Sequence, residues 1–535
     1  MGTAFPTKLY GPPQRSSRTK GLRIPCRRAA QSNGSAPVMT TKSSIYSHSN
    51  PQLLKVFEAA GHPAKVMCVA LDYAKAQHSV LICNGLGDLL KGAFAVDNAP
   101  TGAEALLHQV RRSAKQRKIR LEHVFFGGED YPSYAQNFLR RLRQEKFLVV
   151  RVNAWEAKQQ RSNFQASSDS LDLLGIARCC LNRRGQTVRD WPVAYTNLRI
   201  ATRDRDQLVR NRTAVSNRIH SYVDRLFPSF LKVEKSGLAP FSAASLDLMV
   251  ERFSPAQLRR RPRQGLADWL GRRNVEEPKK VADQLKQLAK AVLPPAPEQT
   301  VMLQRSLTQW VELYRGLEKS LTLLDREQAY WLARTPGALL TSIGGFGITL
   351  AAGWTAELGP PTQWQAVRRL CSYAGVVPRS KQTGGPDQEP VVGPVQQRCN
   401  KRLKNVVLQA VGKVRQYGPE DLRQAAQRLE AQGSHVEFAL AKRLVRLGKY
   451  LATTGTLYRP KALLDPDTPK LTLATHYQHL WDKLLQKWKA KADLRDVFAP
   501  EHPLGQWRNM ARELYALELR LPQQGVAHCP RALTP

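Results

Sequence analysis

Residues 65–72, "KVMCVALD", and 78–96, "HSVLICNGLGDLLKGAFAV", decide the fold of the first part of the chain. The first is an apolar run of strand length ending on an acid. The second reads as two further strands around a glycine turn. Downstream, "TGAEALLHQVRRSAKQRK" (101–118) has helical periodicity, with Thr101 as the expected cap and Glu104 three residues on. Then "LEHVFFGGED" (121–130) reads as a strand ending in acids, "SYAQNFLRRLRQEK" (133–146) as a helix and "FLVVRVNA" (147–154) as a strand. Strand, hairpin, helix, strand, helix, strand predicts a mixed α/β layer of about 120 residues.

The pattern then turns helical. "NLRIATRDRDQLVRNRTAVSNRIHSYVDRLF" (197–227) predicts one long basic helix stopped by Pro228, and "RFSPAQLRRRPRQGLADWLGRR" (252–273) is a second basic stretch. Leu303, Leu307, Trp310, Tyr314, Leu317, Leu321 and Leu324 recur at alternating spacings of four and three. That is a heptad seam, expected to form a coiled coil between elements or between chains. The alternative is a helix packed inside its own domain. Next, "LLTSIGGFGITLAAGWTAELG" (339–359) predicts a helix, a glycine hairpin and a helix, and "CNKRLKNVVLQAVGKVRQYG" (399–418) a basic amphipathic helix. The expected fold class is a multidomain α/β plus α chain. Its parts are a basic, disordered extension over 1–60, an α/β domain over 61–195, a helical or coiled-coil region over 196–330, a mostly helical domain over 331–460 and a C-terminal extension over 461–535.

The chain has 535 residues, with 82 Lys and Arg against 43 Asp and Glu, a formal charge of +39. That excess calls for an anionic partner, nucleic acid or an acidic membrane surface. No run approaches the roughly 18 apolar residues of a membrane span. The basic residues are spread over every segment, which favours a long polyanion in several grooves. Eight cysteines show no CxxC pair, and several stand in apolar runs, so a reducing compartment is expected. The eleven histidines form no zinc-ligand pattern. The first fifty or so residues are basic and rich in Ser, Gly and Pro, without the apolar core of a secretory signal. A chain starting at Met39 would lack most of them.

Four acids stand where chemistry needs them. Asp72 and Glu129 end predicted strands, and Asp169 and Asp172, in "SSDSLDLLGIAR", share one face at a helix start. Carboxylates converging in so basic a chain suit one or two Mg²⁺ ions, which take hard oxygen ligands, keep waters and bind substrate phosphates. The plainer reading makes Asp169 an N-cap and Asp172 a solvated first-turn acid. Gly344, Gly345 and Gly347, in "SIGGFGIT", would let backbone N–H groups approach a phosphate, although such turns also serve packing. Arg199, Arg203, Arg205, Arg210, Arg212 and Arg218, and later Arg398, Lys401, Arg402 and Lys404, offer phosphate contacts. The loop "YAGVVPRSKQTGGPDQEP" (373–390) carries Arg379 and Lys381 beside two hydroxyls, Ser380 and Thr383, either of which is a nucleophile or an ordinary turn residue.

Seven ordered motifs over about 65–455 resemble the DEDD transposases of the insertion-sequence-110 class, the Piv-like recombinases. They are "VALDYAK", "GGEDYPSYAQNFLRRL", "VNAWEAKQQRSNFQASSDSLDLLGIAR", "RDQLVRNRTAVSNRIHSYVDRLFP", "SIGGFGITLAAGWTAELG", "YAGVVPRSKQTGG" and "VGPVQQRCNKRLKNVVLQA". The resemblance implies a RuvC-like (RNase H-type) domain with Asp72, Glu129, Asp169 and Asp172 as Mg²⁺ ligands. It also implies a coiled-coil region used in assembly and a transposase domain with a helix-hairpin-helix and a nucleophilic serine. Members act as oligomers on donor and target double-stranded DNA, guided by a structured element-encoded RNA, through a covalent phosphoserine. Here Thr383 stands in the serine's place before the glycine, with Lys381 where an aromatic residue is usual. Ser167 and Ser168 replace the basic residue and Thr usual before the third acid.

The expected function is therefore a Mg²⁺-dependent DNA recombinase of a mobile element, a homo-oligomer (dimer or tetramer) in the bacterial cytoplasm at the nucleoid. Thr383, or alternatively Ser380, is the expected nucleophile. Two other readings remain open: a RuvC-like structure-specific endonuclease in which water attacks, and an architectural nucleic-acid-binding protein.

Overall fold

The computed structural model describes residues 49–522, except 130–133, 162–167, 252, 365, 382–390, 396–398 and 433–434; 379–381 and 391–395 are described by their backbone alone. The chain divides into two compact units, one ending at Asp190 and the other starting at Trp191.

The first unit is built on a six-stranded mixed sheet in the order β3-β2-β1-β4-β5-β6. Its strands are β1 (Met67–Asp72), β2 (Gln77–Asn84), β3 (Leu89–Asp97), β4 (Val124–Glu129), β5 (Leu148–Val152) and β6 (Gln186–Thr187). β1, β2 and β3 form an antiparallel meander, whereas β4 runs parallel to β1 and β5 parallel to β4. This arrangement is consistent with a RuvC-like α/β domain. β1 reads as a nearly continuous apolar run because both its faces are covered. Met67, Val69 and Leu71 pack under α2 (Pro100–Gln116) and α3 (Gln136–Gln144). Cys68 and Ala70 face α1 (Pro51–Ala60), α4 (Ala154–Gln159) and α5 (Asp169–Leu181).

Two local expectations change. Residues 51–60, assigned by composition to the basic extension, form α1, capped by the Asn50 side chain, which accepts from the Gln52 and Leu53 amides at 2.9 and 3.3 Å. Leu53 and Phe57 are buried there, and two apolar residues one turn apart were too weak a signal against the Pro-rich flank. Thr101 does not cap α2: the helix starts at Pro100, which needs no amide partner at that position. Glu104 instead pairs with Arg141 of α3 at 2.6 Å.

The second unit is helical. α6 (Val193–Leu226) and α12 (Pro297–Ala333) run antiparallel, since Arg205 pairs with Asp325 and, two turns on, Arg212 with Glu318. Between them lie α7 (Val233–Ser236), α8 (Ala243–Glu251), α9 (Pro255–Arg260), α10 (Arg263–Gly271) and α11 (Pro278–Ala291). Leu303, Leu307 and Val311 of α12 are buried with Val215, Ile219 and Val223 of α6 and the short helices. This half of the predicted seam is thus filled within the chain. Val311 is fully buried, whereas Trp310 is only partly covered.

The remaining helices are α13 (Ile348–Leu358), α14 (Val367–Tyr373), α15 (Lys401–Tyr417), α16 (Glu420–Ala431), α17 (Val436–Thr454), α18 (Lys470–Lys489), α19 (Leu494–Val497) and α20 (Pro503–Tyr515). A two-stranded hairpin, β7 (Pro378–Lys381) with β8 (Val391–Val395), stands between α14 and α15. One apolar cluster runs from Leu332 and Trp354 through Val407 and Leu444 to Trp481, Trp488 and Trp507. Residue 460 therefore marks no break in packing. The tail read as an extension closes this core.

Candidate active site

Asp72 and Glu129 sit at the C-terminal ends of neighbouring parallel strands, one residue beyond the Leu71–Gly128 pair. α5 brings two more acids, with Ser168 as its N-cap and Asp169 and Asp172 in its first turn. Asp169 is thus one position inside the cap it was weighed for. The helix lies close because β4 has glycine where contact is made: a Cβ on Gly127 would stand 2.2 Å from Cys180 Sγ. Ser79 of β2 donates to Asp169 Oδ2 at 3.5 Å. Arg161 forms an ion pair with Asp172, both side chains largely buried.

The electrostatics tie the acids together. Burial raises the Asp72 carboxyl, and the charges of Asp172 and Asp169 raise it further, against the Tyr73 amide and Arg161. Glu129 is pushed up to about 6 by burial, then by Asp72 and Asp172, with Arg161 opposing. Among the described residues, Glu129 Oε1 is buried without a hydrogen-bond partner. Carboxylates that repel one another around an unsatisfied oxygen fit a hard divalent cation by donor chemistry. Among the described residues, no three His, Cys, Asp or Glu side chains are drawn in tightly enough to hold an ion as they stand. Arg161 supplies positive charge in this arrangement.

In the second unit the glycine turn follows a 3-10 helix (Pro336–Ser342) rather than an α-helix. Gly345 has φ +86°, and a Cβ there would meet Lys413 O of α15 at 2.7 Å; one on Gly344 would meet Tyr417 O at 2.8 Å. Both glycines spend their freedom on packing. Gly347, the N-cap of α13, is exposed with open space before it. Lys487 of α18 underpins this turn, donating to Phe346 O at 2.8 Å and to Thr341 O. Lys401 is exposed, and Arg402 and Lys404 are half-exposed, in the first turn of α15. Ser380, Arg379 and Lys381 lie on β7, where the backbone of Ser380 pairs with Val392. Thr383 and Arg398 lie outside the described residues.

Motif reasoning missed Arg161 and Lys487, which nothing in their flanks singles out. It also missed Glu357, whose signal was legible: one acid in the otherwise apolar α13, "ITLAAGWTAEL".

Comparison with known proteins matches two stretches of the chain, the first running past Asp190 to the end of α6. Residues 69–228 match the transposase family model DEDD_Tnp_IS110, and residues 337–426 match the Transposase IS116/IS110/IS902 family. In these two stretches, in that order, the chain is similar to IS110-class transposases. It is 27% identical over 250 residues to an uncharacterized 44.8 kDa protein of insertion element IS116 from Streptomyces clavuligerus. The match covers 45% of this chain and spans 59% of that relative's length. No helix among the described residues is long and apolar enough to cross a membrane.

Proposed function

We propose that the chain is the transposase of an insertion element, cutting and rejoining DNA strands through a transient protein–DNA ester. The observation that carries this reading is the gathering of Asp72, Glu129, Asp169 and Asp172 at one end of the mixed sheet, where burial first and the neighbouring carboxylates second raise Asp72 and Glu129. These four would hold Mg²⁺, which when bound neutralises phosphate charge and stabilises attacking and leaving oxygens. Thr383, with Ser380 as the alternative, supplies the hydroxyl oxygen that bonds to phosphorus. A sugar oxygen leaves with the proton, and the ester conserves the bond for rejoining, so no nucleotide cofactor is consumed. Exposed cations of α15, and the N-terminus of α13 at Gly347, bind the phosphate backbone. Donor and target are chosen by a structured RNA encoded by the element, and the chain works as a dimer or tetramer.

The test incubates purified chain, Mg²⁺ and RNA transcribed beside the reading frame with labelled duplexes spanning the element's ends. Wild type yields a denaturant-stable protein–DNA adduct. Asp72→Asn and Asp172→Asn lose it by about 10³-fold or more, while gel-shift affinity holds. If Thr383→Ala retains the adduct and Ser380→Ala does not, Ser380 is the attacker. Cleavage with no adduct in wild type overturns the covalent route and leaves the RuvC-like endonuclease, in which water attacks. Full strand exchange in both aspartate variants removes these acids from the chemistry, and binding with neither cleavage nor adduct in wild type leaves only an architectural role.

A further inference from the structure

A buried carboxylate ties together the two ends of the segment that carries the hairpin β7–β8. Glu357, the penultimate residue of α13, is 2% exposed. Its carboxylate accepts Arg203 of α6 through two bonds, Nε to Oε1 at 2.9 Å and Nη2 to Oε2 at 3.1 Å. Asn400 Nδ2 donates to Oε2 at 2.9 Å, and Arg199 Nη2 stands 3.6 Å away. Burial alone would raise this carboxyl, but the bonds from Arg203 and Asn400 and the two guanidinium charges hold it below its ordinary range.

Asn400 is also the N-cap of α15, its Oδ1 accepting from the Leu403 amide at 3.1 Å. The same residue reaches back across the loop. Its amide donates to Tyr373 O at 2.8 Å and its Nδ2 to Tyr373 Oη at 2.8 Å. Tyr373 Oη in turn donates to Glu357 O at 3.5 Å. Tyr373 is the last residue before the loop and Asn400 the first after it. The neck closes next to this pair as well, since a Cβ on Gly375 would meet Cys399 Sγ at 2.5 Å. An ordinary packed loop needs none of this: a fully ionised group is kept in the core, compensated twice over, where its bonds meet at the neck.

We propose that Glu357 is a positioning residue for strand transfer, fixing Tyr373 and Asn400, the two ends of the β7–β8 segment, to α6. The inference rests on the reading that this segment carries the attacking hydroxyl. Misplacing a reacting group by about 1 Å costs on the order of 10²-fold in rate, so the clamp acts on turnover and not on affinity.

The test uses the full chain with Glu357→Gln, which keeps the shape and removes the charge. Asn400→Asp is a second variant, keeping the Leu403 cap while losing both Nδ2 bonds. Val445→Ala serves as a core control. Hydrogen exchange of the free proteins is followed in peptides covering 370–381 and 399–405, which report the amides of Gly375, Val376 and Asn400. Both neck variants are expected to lose protection there about tenfold or more, with α17 unchanged, whereas the control loosens the core around α17. Adduct formation on the element-end duplex should fall about 100-fold at saturating DNA, with DNA affinity within about twofold because the phosphate contacts are intact. Wild-type exchange at the neck in both variants, or wild-type adduct rates, overturns the clamp. Should wild type cleave without an adduct, the nucleophile reading falls, and the exchange result still judges the clamp.

Discussion

A Cβ on Gly127 would need the space held by Cys180 Sγ, and that contact sets how near α5 comes to the sheet. Gly127→Ala is therefore expected to cost about 1–3 kcal/mol by overpacking and to weaken the proposed binding of a divalent cation by moving Asp169 and Asp172. Chemical denaturation and Mn²⁺ titration of the same variant check both. Lys487 gives a pH-dependent outcome. Burial and the Lys483 charge lower its ammonium from the ordinary 10.5 to about 8. The folded state therefore sheds its proton before the unfolded state does, so stability rises with pH between about 8 and 10.5. Lys487→Gln, which keeps donors for Phe346 O and Thr341 O, should exceed wild type by on the order of 2 kcal/mol at pH 7, allowing for residual solvent. The margin should vanish above about pH 10.5. A constant margin across that range in urea melts would refute the assignment.

At the scale of elements, the antiparallel pair α6 and α12 is held by its apolar seam. Leu307 is fully buried, so Leu307→Ala should cost about 2–5 kcal/mol. Arg212→Ala should cost less than about 1 kcal/mol, because the Arg212 and Glu318 side chains are 36% and 42% exposed. Equal losses would mean that charge governs the pairing. The sequence made much of this legible. The strand ends that place Asp72 and Glu129, the stop of α6 before Pro228 and the basic helix α15 all follow from local patterns. What covers the Leu303–Val311 stretch did not, since a heptad states that a face is apolar without saying what fills it. The glycine turn was legible as a turn, but its packing role was hidden because Lys413 and Tyr417 lie some seventy residues away. Arg161 was invisible for a like reason: its meaning comes from the acid it meets and not from its neighbours in the chain.

For the molecule as a whole, the charge of +39 would set how it meets the DNA proposed as its substrate. Affinity should fall steeply with salt, each phosphate contact adding about 0.9 to the log–log slope. Removing Lys401 and Lys404 together should lower that slope by about 2, measured by fluorescence anisotropy over a salt series. The tail makes a sharper claim. Trp481, Trp488 and Trp507 are at most 1% exposed in the core they share with Trp354. A chain ending at residue 460 should therefore not melt cooperatively, whereas the unit up to Asp190, which has its own two apolar clusters, should keep its transition.

That arrangement has a consequence for the timing of synthesis. A nascent chain can complete the acid-bearing sheet early, as N-terminal domains generally do. The second unit waits for α18–α20 to emerge, because Lys487 and Trp488 are what brace Thr341 beneath the glycine turn. Translation must run nearly to the end of the described chain before both halves are folded. A message cut short upstream of α18 would thus yield a protein with the acids assembled and the turn unsupported.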